Sequence, residues 1–444
     1  MKSSSFWLFL IGLGSQTQFH FIGSLGISEL PMYLLAPIFF VQDYALLKRD
    51  GFMPFIWLSI SVVVGCCIAS IMNHTTLIMF VKGLATPYSV FAIAVCFHRL
   101  LRKNLDGLKW VLIGVFLSSI ICIFVFQPET YTSIGGEKRT GEEGVELMIS
   151  HPLFWTGKIS ALTTLPVTAA YLSTPIMYSA TVPIINAFLK VVFSMTSGRA
   201  AGLVSVVSAL FILCGRKSRS AMRSFNKKLP VILLVCSVAM AMFKSAYSYA
   251  AMNGMLGYEA QKKYLKQTSQ GASAWRMLVS GRMEFFVGMM AAVDKPIVGY
   301  GPKAEDVKGY YEQFLRDYGA QEDYEEYMRN LAASMKEGLV YRVIPTHSHI
   351  MCSWVEDGIF GLAFWLYVLM IIYKCLRVYS SSIPQWFGYF CCVLPALVWD
   401  IFFSPFGSRV GTTLALVCVL LAKAVHERRI DLPIEMEMKA RQHD

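Results

Sequence analysis

The sequence predicts an all-α, polytopic membrane protein with about twelve transmembrane helices and one large, mainly helical loop on the outer side of the membrane. Of its 444 residues, 55% are hydrophobic and only 16% are charged, which is more apolar surface than a soluble chain could bury. Several apolar runs reach roughly 20 residues, the length that crosses a bilayer core. One polar stretch, residues 250 to 357, separates these runs and supplies the loop.

Charge and cysteine content agree with a membrane protein. The net charge is +11, and the basic residues cluster in short loops, as the positive-inside rule requires, so we expect no nucleic-acid partner. Membrane lipids, or a lipid diphosphate, are the anionic partners that such loops can meet. Ten of the 11 cysteines lie in or at the ends of apolar runs, with neither a disulfide framework nor a zinc spacing.

The first five spans are expected at about 6 to 25, 27 to 46, 53 to 71, 76 to 98 and 108 to 126. Residues 1 to 30 have only Lys2 as a basic start and no small-residue cleavage site, so we expect a first span and not a cleaved signal. The loops after spans two and four carry the basic residues Lys48, Arg49, Arg99, Arg102, Lys103 and Lys109. These loops are therefore expected to be cytoplasmic, with the N-terminus inside and residues 128 to 156 outside.

The basic loop at 216 to 228 sets the number of later spans. It holds six Lys/Arg and no acid, so it is expected inside, and three spans must precede it: about 157 to 175, 176 to 196 and 199 to 215. The path of residues 157 to 176 stays open, because that run is rich in Thr, Ser and Pro. The ninth span (229 to 249) leads outward, and spans at 358 to 376, 385 to 403 and 409 to 425 bring the C-terminus inside.

This topology gives three regions: spans one to nine (1–249), the outer loop (250–357), and the last three spans with a cytoplasmic tail (358–444). It also brings Arg199 to the outer face, where the positive-inside rule disfavours a basic residue. An interfacial anchor and a phosphate ligand are equally good interpretations of Arg199. An arginine suits a phosphate because its planar fork donates two parallel hydrogen bonds and stays charged.

Arg282 lies near the start of the loop, within SGRME, where Ser280 is placed to cap a helix and Glu284 lies in its first turn. On spacing alone, a surface ion pair between Arg282 and Glu284 or Asp294 is the simpler interpretation. The motif GYGP follows, and Gly299 and Gly301 allow close backbone approach without forming a nucleotide-binding fingerprint.

His347 and His349 form an HxH pair before the tenth span. No third ligand is near in sequence, so we expect no metal. A histidine near neutral pKa is a natural general base, and both residues are candidates for that role. Glu356 and Asp357 come just before the tenth span, where carboxylates favour a helix N-terminus, and a capping role is expected for them.

Three motifs now occur in order: SGR at Arg199 before an apolar run; SGR-x-E at Arg282 followed by KPIVGYGP; and H-S-x7-E-x-G-I-x-G from His347 to Gly361. Together they resemble the O-antigen ligase and O-antigen polymerase superfamily, over roughly Ser194 to Leu366. The layout is also similar, with about twelve spans and one large periplasmic loop between spans nine and ten.

The resemblance implies transfer of a glycan from an undecaprenyl-diphosphate carrier to an acceptor hydroxyl at the periplasmic face of the bacterial inner membrane. It implies inversion at the anomeric carbon and neither a metal nor another cofactor. Arg199 and Arg282 would bind the diphosphate, and His347, matched by its spacing to Glu356, would orient or deprotonate the acceptor. His349 offers a competing alignment, and Ser348 stands where the family commonly has Asn. The supporting residues would be Glu284, Gly299, Gly301 and Glu356.

Several functions remain as alternatives. A ligase, a polymerase and a protein-glycosylating enzyme would share the donor and differ in the acceptor, which is lipid A core for a ligase and a carrier-linked glycan for a polymerase. A polysaccharide or lipid transporter or flippase is the alternative from another class. It would use ionisable residues within the spans, and the candidates are Lys82, Lys190, Lys244 and Asp400. A non-catalytic assembly subunit would not need Arg199, Arg282 or His347.

Overall fold

The structure is a computed structural model. It describes residues 3–14, 18–20, 24–102, 107–124, 132–134, 137–138, 249–250, 252–253, 255, 261, 283–318, 324–325, 327–329, 343–382, 394, 397–404, 414–415 and 417–419. These residues are mainly helical. The predicted sixth to eighth spans and Arg199 lie outside the described residues, and so do nearly all of the ninth span and Arg282.

Five helices make up the described N-terminal part: α1 (Ser3–Gly14), α2 (Glu29–Arg49), α3 (Met53–Met72), α4 (Leu77–Leu101) and α5 (Leu108–Phe124). Helices α2, α3 and α4 are long and apolar enough to cross a membrane, and they coincide with the second, third and fourth predicted spans to within three residues. Helix α5 begins where the fifth span is predicted to begin. Helix α1 packs against α5, and α4 packs against both α2 and α3.

The first predicted span, 6 to 25, differs from the structure. Helix α1 ends at Gly14, and two short antiparallel strands follow, β1 (Gln18–His20) and β2 (Ser24–Gly26). The polar stretch SQTQ after Gly14 interrupts the apolar run at this point, and Gly favours the end of a helix. A second short antiparallel pair, β3 (Thr132–Ile134) with β4 (Glu137–Lys138), lies in the predicted outer loop after the fifth span.

Helices α2 to α4 have one face turned to each other and one face uncovered. Polar contacts join the helices at the end that the charge pattern predicts to be cytoplasmic. There His98 forms a hydrogen bond with Asp50 at 2.9 Å, and Arg99 donates to Asp43 at 3.2 Å. The uncovered face carries apolar side chains such as Leu34 and Val41. In a chain with spans of this length, an uncovered apolar face is the one that lipid tails cover.

The predicted outer loop contains a small core of its own. Helix α6 (Met283–Asp294), α7 (Tyr310–Tyr318) and α8 (His349–Asp357) surround it. The buried core residues of this cluster are Val287, Ala291, Ala292, Ala304, Tyr310, Phe314, Ile344 and Val355. The carboxylate of buried Asp306 caps α7 by accepting the backbone N–H groups of Tyr310 and Tyr311 at 2.8 and 3.0 Å.

The tenth predicted span, 358 to 376, is α9 (Ile359–Ser382). One residue, Gly358, separates α8 from α9, and its backbone φ of +65° turns the chain sharply. The two helices contact each other, and the Trp365 indole N–H of α9 donates to the Ser353 hydroxyl of α8 at 2.9 Å. Both helices also pack against α3, so the outer loop is joined directly to the spans.

Candidate functional site

The N-terminal ends of α6 and α8 lie side by side. The Glu284 carboxylate, in the first turn of α6, is 4.0 Å from the Nδ1 atom of His347, just before α8. The approach is possible because Gly288 has no side chain: a Cβ atom there would lie 3.2 Å from both Met351 and Thr346. Two motifs that are 63 residues apart in sequence are therefore neighbours in space.

The two candidate histidines have different environments. The His347 side chain is 60% exposed, so a molecule from solution can reach it. His349 is 0% exposed and packs on the Trp365 ring at 5.1 Å between centroids. Burial lowers the pKa of His349 to about 4, although a hydrogen bond with the Ser404 backbone acts in the opposite direction. A buried, neutral imidazole has no contact with solvent, so the geometry favours His347 as the residue that meets a substrate.

Ser348 fixes the start of α8. Its hydroxyl accepts the backbone N–H of Met351 at 3.3 Å, which makes it the helix N-cap. The same hydroxyl donates to the carbonyl oxygen of Ile401 at 2.9 Å, in the eleventh predicted span. The sequence reasoning noted only that Ser replaces the family's Asn here, and the structure gives this residue a positioning role beside His347.

The GYGP segment wraps around the C-terminal end of α8. The backbone N–H groups of Tyr300 and Gly301 donate to the carbonyl oxygens of Val355 and Glu356 at 2.7 and 3.0 Å. Gly299 and Gly301 have positive φ angles of 78° and 84°, and a Cβ on Gly299 would lie 2.7 Å from the Gly358 nitrogen. The expected close backbone approach is therefore to α8, and these glycines hold the end of that helix in place.

Glu356 and Asp357 occupy positions that sequence reasoning did not foresee. They are the last residues of α8, and the Glu356 carboxylate accepts the backbone N–H of Lys303 at 3.0 Å. Both carboxylates were predicted to cap the tenth span. The hydrogen bond from Lys303 to Glu356 instead attaches the chain just after GYGP to the end of α8. Burial raises the pKa of both carboxyls, because the charged form loses its hydration.

A hydrogen-bonded cluster centred on Asp294 was missed by the sequence analysis. The Oδ2 atom of Asp294 accepts hydrogen bonds from the hydroxyls of Tyr300 and Tyr310 at 2.5 and 2.6 Å and from the Lys308 ammonium at 2.5 Å. The Lys308 ammonium and both hydroxyls hold the pKa of Asp294 well below its usual range. The cluster joins the end of α6 to α7, and no spacing rule would connect these four residues.

Of the predicted site residues, the structure brings Glu284 and His347 together and places Gly299, Gly301 and Glu356 at the far end of α8. Asp294, one of the two carboxylates considered as an ion-pair partner of Arg282, is engaged by Lys308. Arg199 and Arg282 lie outside the described residues, so their prediction stands as made. No protein-family model, curated protein or solved structure matches this chain.

Proposed function

We propose that this protein is a membrane glycosyltransferase of the O-antigen ligase type. It would move a glycan from an undecaprenyl-diphosphate carrier to an acceptor hydroxyl at the periplasmic face of the bacterial inner membrane. Twelve spans with both termini in the cytoplasm would place the site on that side. An O-antigen or exopolysaccharide polymerase using the same donor is the alternative, and the acceptor separates the two.

The observation that carries the proposal is the contact between Glu284 and His347. Arg282 is two residues before Glu284, which limits the separation of their Cα atoms to about 7 Å. This contact supports a single site that would contain both Arg282 as diphosphate ligand and His347 as acceptor base. His347 is exposed at that site and is held by a capped helix.

The chemistry follows from these groups. The acceptor hydroxyl attacks the anomeric carbon of the donor, a new C–O bond forms, and the bond from that carbon to the diphosphate oxygen breaks. His347 takes the hydroxyl proton as the general base. The leaving undecaprenyl diphosphate carries negative charge, which the guanidinium groups of Arg199 and Arg282 stabilise. Glu284, facing Nδ1, orients the imidazole so that Nε2 meets the acceptor.

The test is glycan transfer by purified protein in nanodiscs, with an undecaprenyl-diphosphate oligosaccharide as donor and a panel of acceptors. We expect His347→Ala and Arg282→Ala each to lower the transfer rate by about 100-fold or more. Arg316→Ala, which removes an exposed arginine on α7, is the matched control and should transfer at the wild-type rate.

The acceptor that is used separates a ligase from a polymerase or a protein-glycosylating enzyme. Wild-type rates in both variants, with the protein shown to be folded, would contradict the proposal. In that case a transporter using charged residues within the spans becomes the better hypothesis, and donor flipping across proteoliposomes is the assay for it.

A further inference from the structure

A short exposed segment, residues 293–297, comprises the last two residues of α6 and the three residues after it, and combines apolar side chains with a lysine. Val293 and Ile297 are 63% and 68% exposed, and Lys295 lies between them in sequence. We call these residues the 293–297 loop. Large apolar side chains exposed next to each other on a folded surface mark a contact with another molecule or with lipid.

The 293–297 loop is fastened to the turn between two membrane-spanning helices. The Lys295 ammonium donates to the side-chain oxygen of Asn73 at 2.6 Å, and the Asn73 amide donates to the carbonyl oxygen of Gly299 at 3.2 Å. Asn73 is the residue that ends α3, and α4 begins at Leu77. Because α3 and α4 are both candidate spans, the turn between them lies at a membrane boundary.

The chain after the loop reaches below that boundary. Pro302 packs directly on Gly83, where a Cβ atom would lie 2.1 Å from the proline ring. Gly83 is six residues into α4, which corresponds to about 9 Å along the helix axis. On the other side, the Ile297 carbonyl oxygen accepts the N–H of Ile359, the first residue of α9, at 3.0 Å. The loop is thus held among the ends of three helices that are expected to cross the membrane.

The two helix ends to which the loop is fastened also carry exposed apolar side chains. Ile71 at the end of α3 and Leu77 at the start of α4 are each 75% exposed. The loop itself also contacts a tyrosine and a tryptophan, residue types that occur in the headgroup layer of membranes. Lys295 lies over the Tyr300 ring at 4.7 Å, and the Trp354 indole N–H donates to the Pro296 carbonyl oxygen at 3.1 Å. Trp and Tyr are enriched at membrane–water interfaces, because their amphipathic rings sit at the level of the headgroups.

We propose that the 293–297 loop is a lipid-binding element. Val293 and Ile297 enter the interfacial layer of the bilayer, and Lys295 binds the phosphate of an anionic phospholipid such as phosphatidylglycerol. Attachment at the end of α3 and start of α4, where exposed side chains are apolar, favours membrane lipid as the occupant, and the lysine gives the preference for anionic headgroups. The proposal does not depend on the proposed glycan transfer.

The first test uses the full protein with a diazirine-bearing amino acid replacing Ile297. The protein is placed in nanodiscs of phosphatidylcholine and phosphatidylglycerol and irradiated, and lipid adducts are measured by mass spectrometry. The matched control carries the same amino acid in place of Gln313, an exposed residue of α7. We expect at least a fivefold higher lipid adduct yield at position 297, and equal yields at the two positions would overturn the proposal.

The second test reads the headgroup in the same adducts. In equimolar lipid, phosphatidylglycerol should be enriched severalfold over phosphatidylcholine, and Lys295→Gln should abolish the enrichment, since the amide keeps a donor for Asn73 but loses the charge. Arg316→Gln is the control and should keep the enrichment. No preference for phosphatidylglycerol, or a preference that survives Lys295→Gln, would overturn the role of Lys295. A third set of nanodiscs also contains undecaprenyl phosphate. If undecaprenyl phosphate is captured there and phosphatidylglycerol is not, the occupant is the carrier lipid and the proposal is wrong.

Discussion

His349 is a buried, neutral imidazole that packs on the Trp365 ring, and this makes the stability of the fold depend on pH. Its pKa in the folded protein is about 4, below the usual value of about 6.5 for an exposed histidine. Between these two values, the unfolded chain binds a proton that the folded chain does not. The free energy of unfolding therefore falls as pH falls from about 6.5 to 4.

We expect this single group to remove on the order of 3 kcal/mol of stability over that pH range. The measurement is thermal unfolding of the purified protein at several pH values between 4 and 7. His349→Phe, which can still pack on Trp365, should lose this part of the pH dependence. His347→Phe changes an exposed ring and should keep it. The raised pKa values of Glu356 and Asp357 make the free energy of unfolding rise as pH falls, which is opposite to the effect of His349. This contribution is the same in both variants, so the difference between them reports on His349.

Ser348 makes one bond within α8 and one to the eleventh predicted span. We expect Ser348→Ala to lower the free energy of unfolding by about 1–2 kcal/mol, because an N-cap and a buried hydrogen bond are lost together. Chemical unfolding in detergent measures it. Ser61→Ala is the control, since that hydroxyl donates to the Leu58 carbonyl oxygen one turn back in its own helix. A loss of the same size in both variants would argue against an anchoring role for Ser348.

Among the structural elements, the turn between α8 and α9 depends most strongly on a single residue type. Gly358 has a φ of +65° and a ψ of −145°, a conformation that is essentially restricted to glycine. A Cβ atom at this position would lie 2.1 Å from the carbonyl oxygen of Ile297. The turn and the 293–297 loop therefore exclude any larger residue at position 358.

We expect Gly358→Ala to reduce the yield of folded protein severely, since backbone strain of about 1–3 kcal/mol adds to a steric clash. Gly51→Ala is the matched control: its φ of +69° is similar, but a Cβ atom there would meet nothing within 4 Å. The readout is monodisperse protein on size-exclusion chromatography and its melting temperature. Equal losses in the two variants would show that the strained φ, and not the close approach, sets the effect.

Sequence reasoning worked best for elements whose pattern is local. Helices α2, α3, α4 and α9 begin within a few residues of predicted spans, because an apolar run and its flanking charges contain the whole signal. It did not find the short β1–β2 pair after α1, where a polar stretch divides an apolar run.

Contacts between distant segments were not predictable in the same way. Glu284 was considered as an ion-pair partner of Arg282 and as a supporting site residue, and the structure shows it beside His347, 63 residues later in the chain. The bonds of Ser348 to Ile401 and of Lys295 to Asn73 depend on which helices pack together. No residue spacing encodes such packing, so the sequence suggested residue roles without their partners.

At the scale of the whole molecule, the basic loops predict which side of the membrane each segment faces. We expect a green fluorescent protein fused after Gly51 to fluoresce, because that loop is predicted to be cytoplasmic. Alkaline phosphatase fused after Tyr318 should be active in the periplasm. The fusions are expressed in a bacterial host, and each position carries both reporters as its own control. An active phosphatase after Gly51 would reverse the predicted topology.

The attachment of the outer loop to the α3–α4 turn bears on how this protein can be re-engineered. Asn73 contacts both Lys295 and the Gly299 carbonyl, and Pro302 fills the space beside Gly83. Residues more than 200 positions apart in sequence therefore form one set of contacts. A chimera that exchanges only residues 283–357 for those of another protein would place a new loop against an α3–α4 turn that was not matched to it. To preserve these contacts with the helices, a transplanted loop must be moved together with the α3–α4 turn.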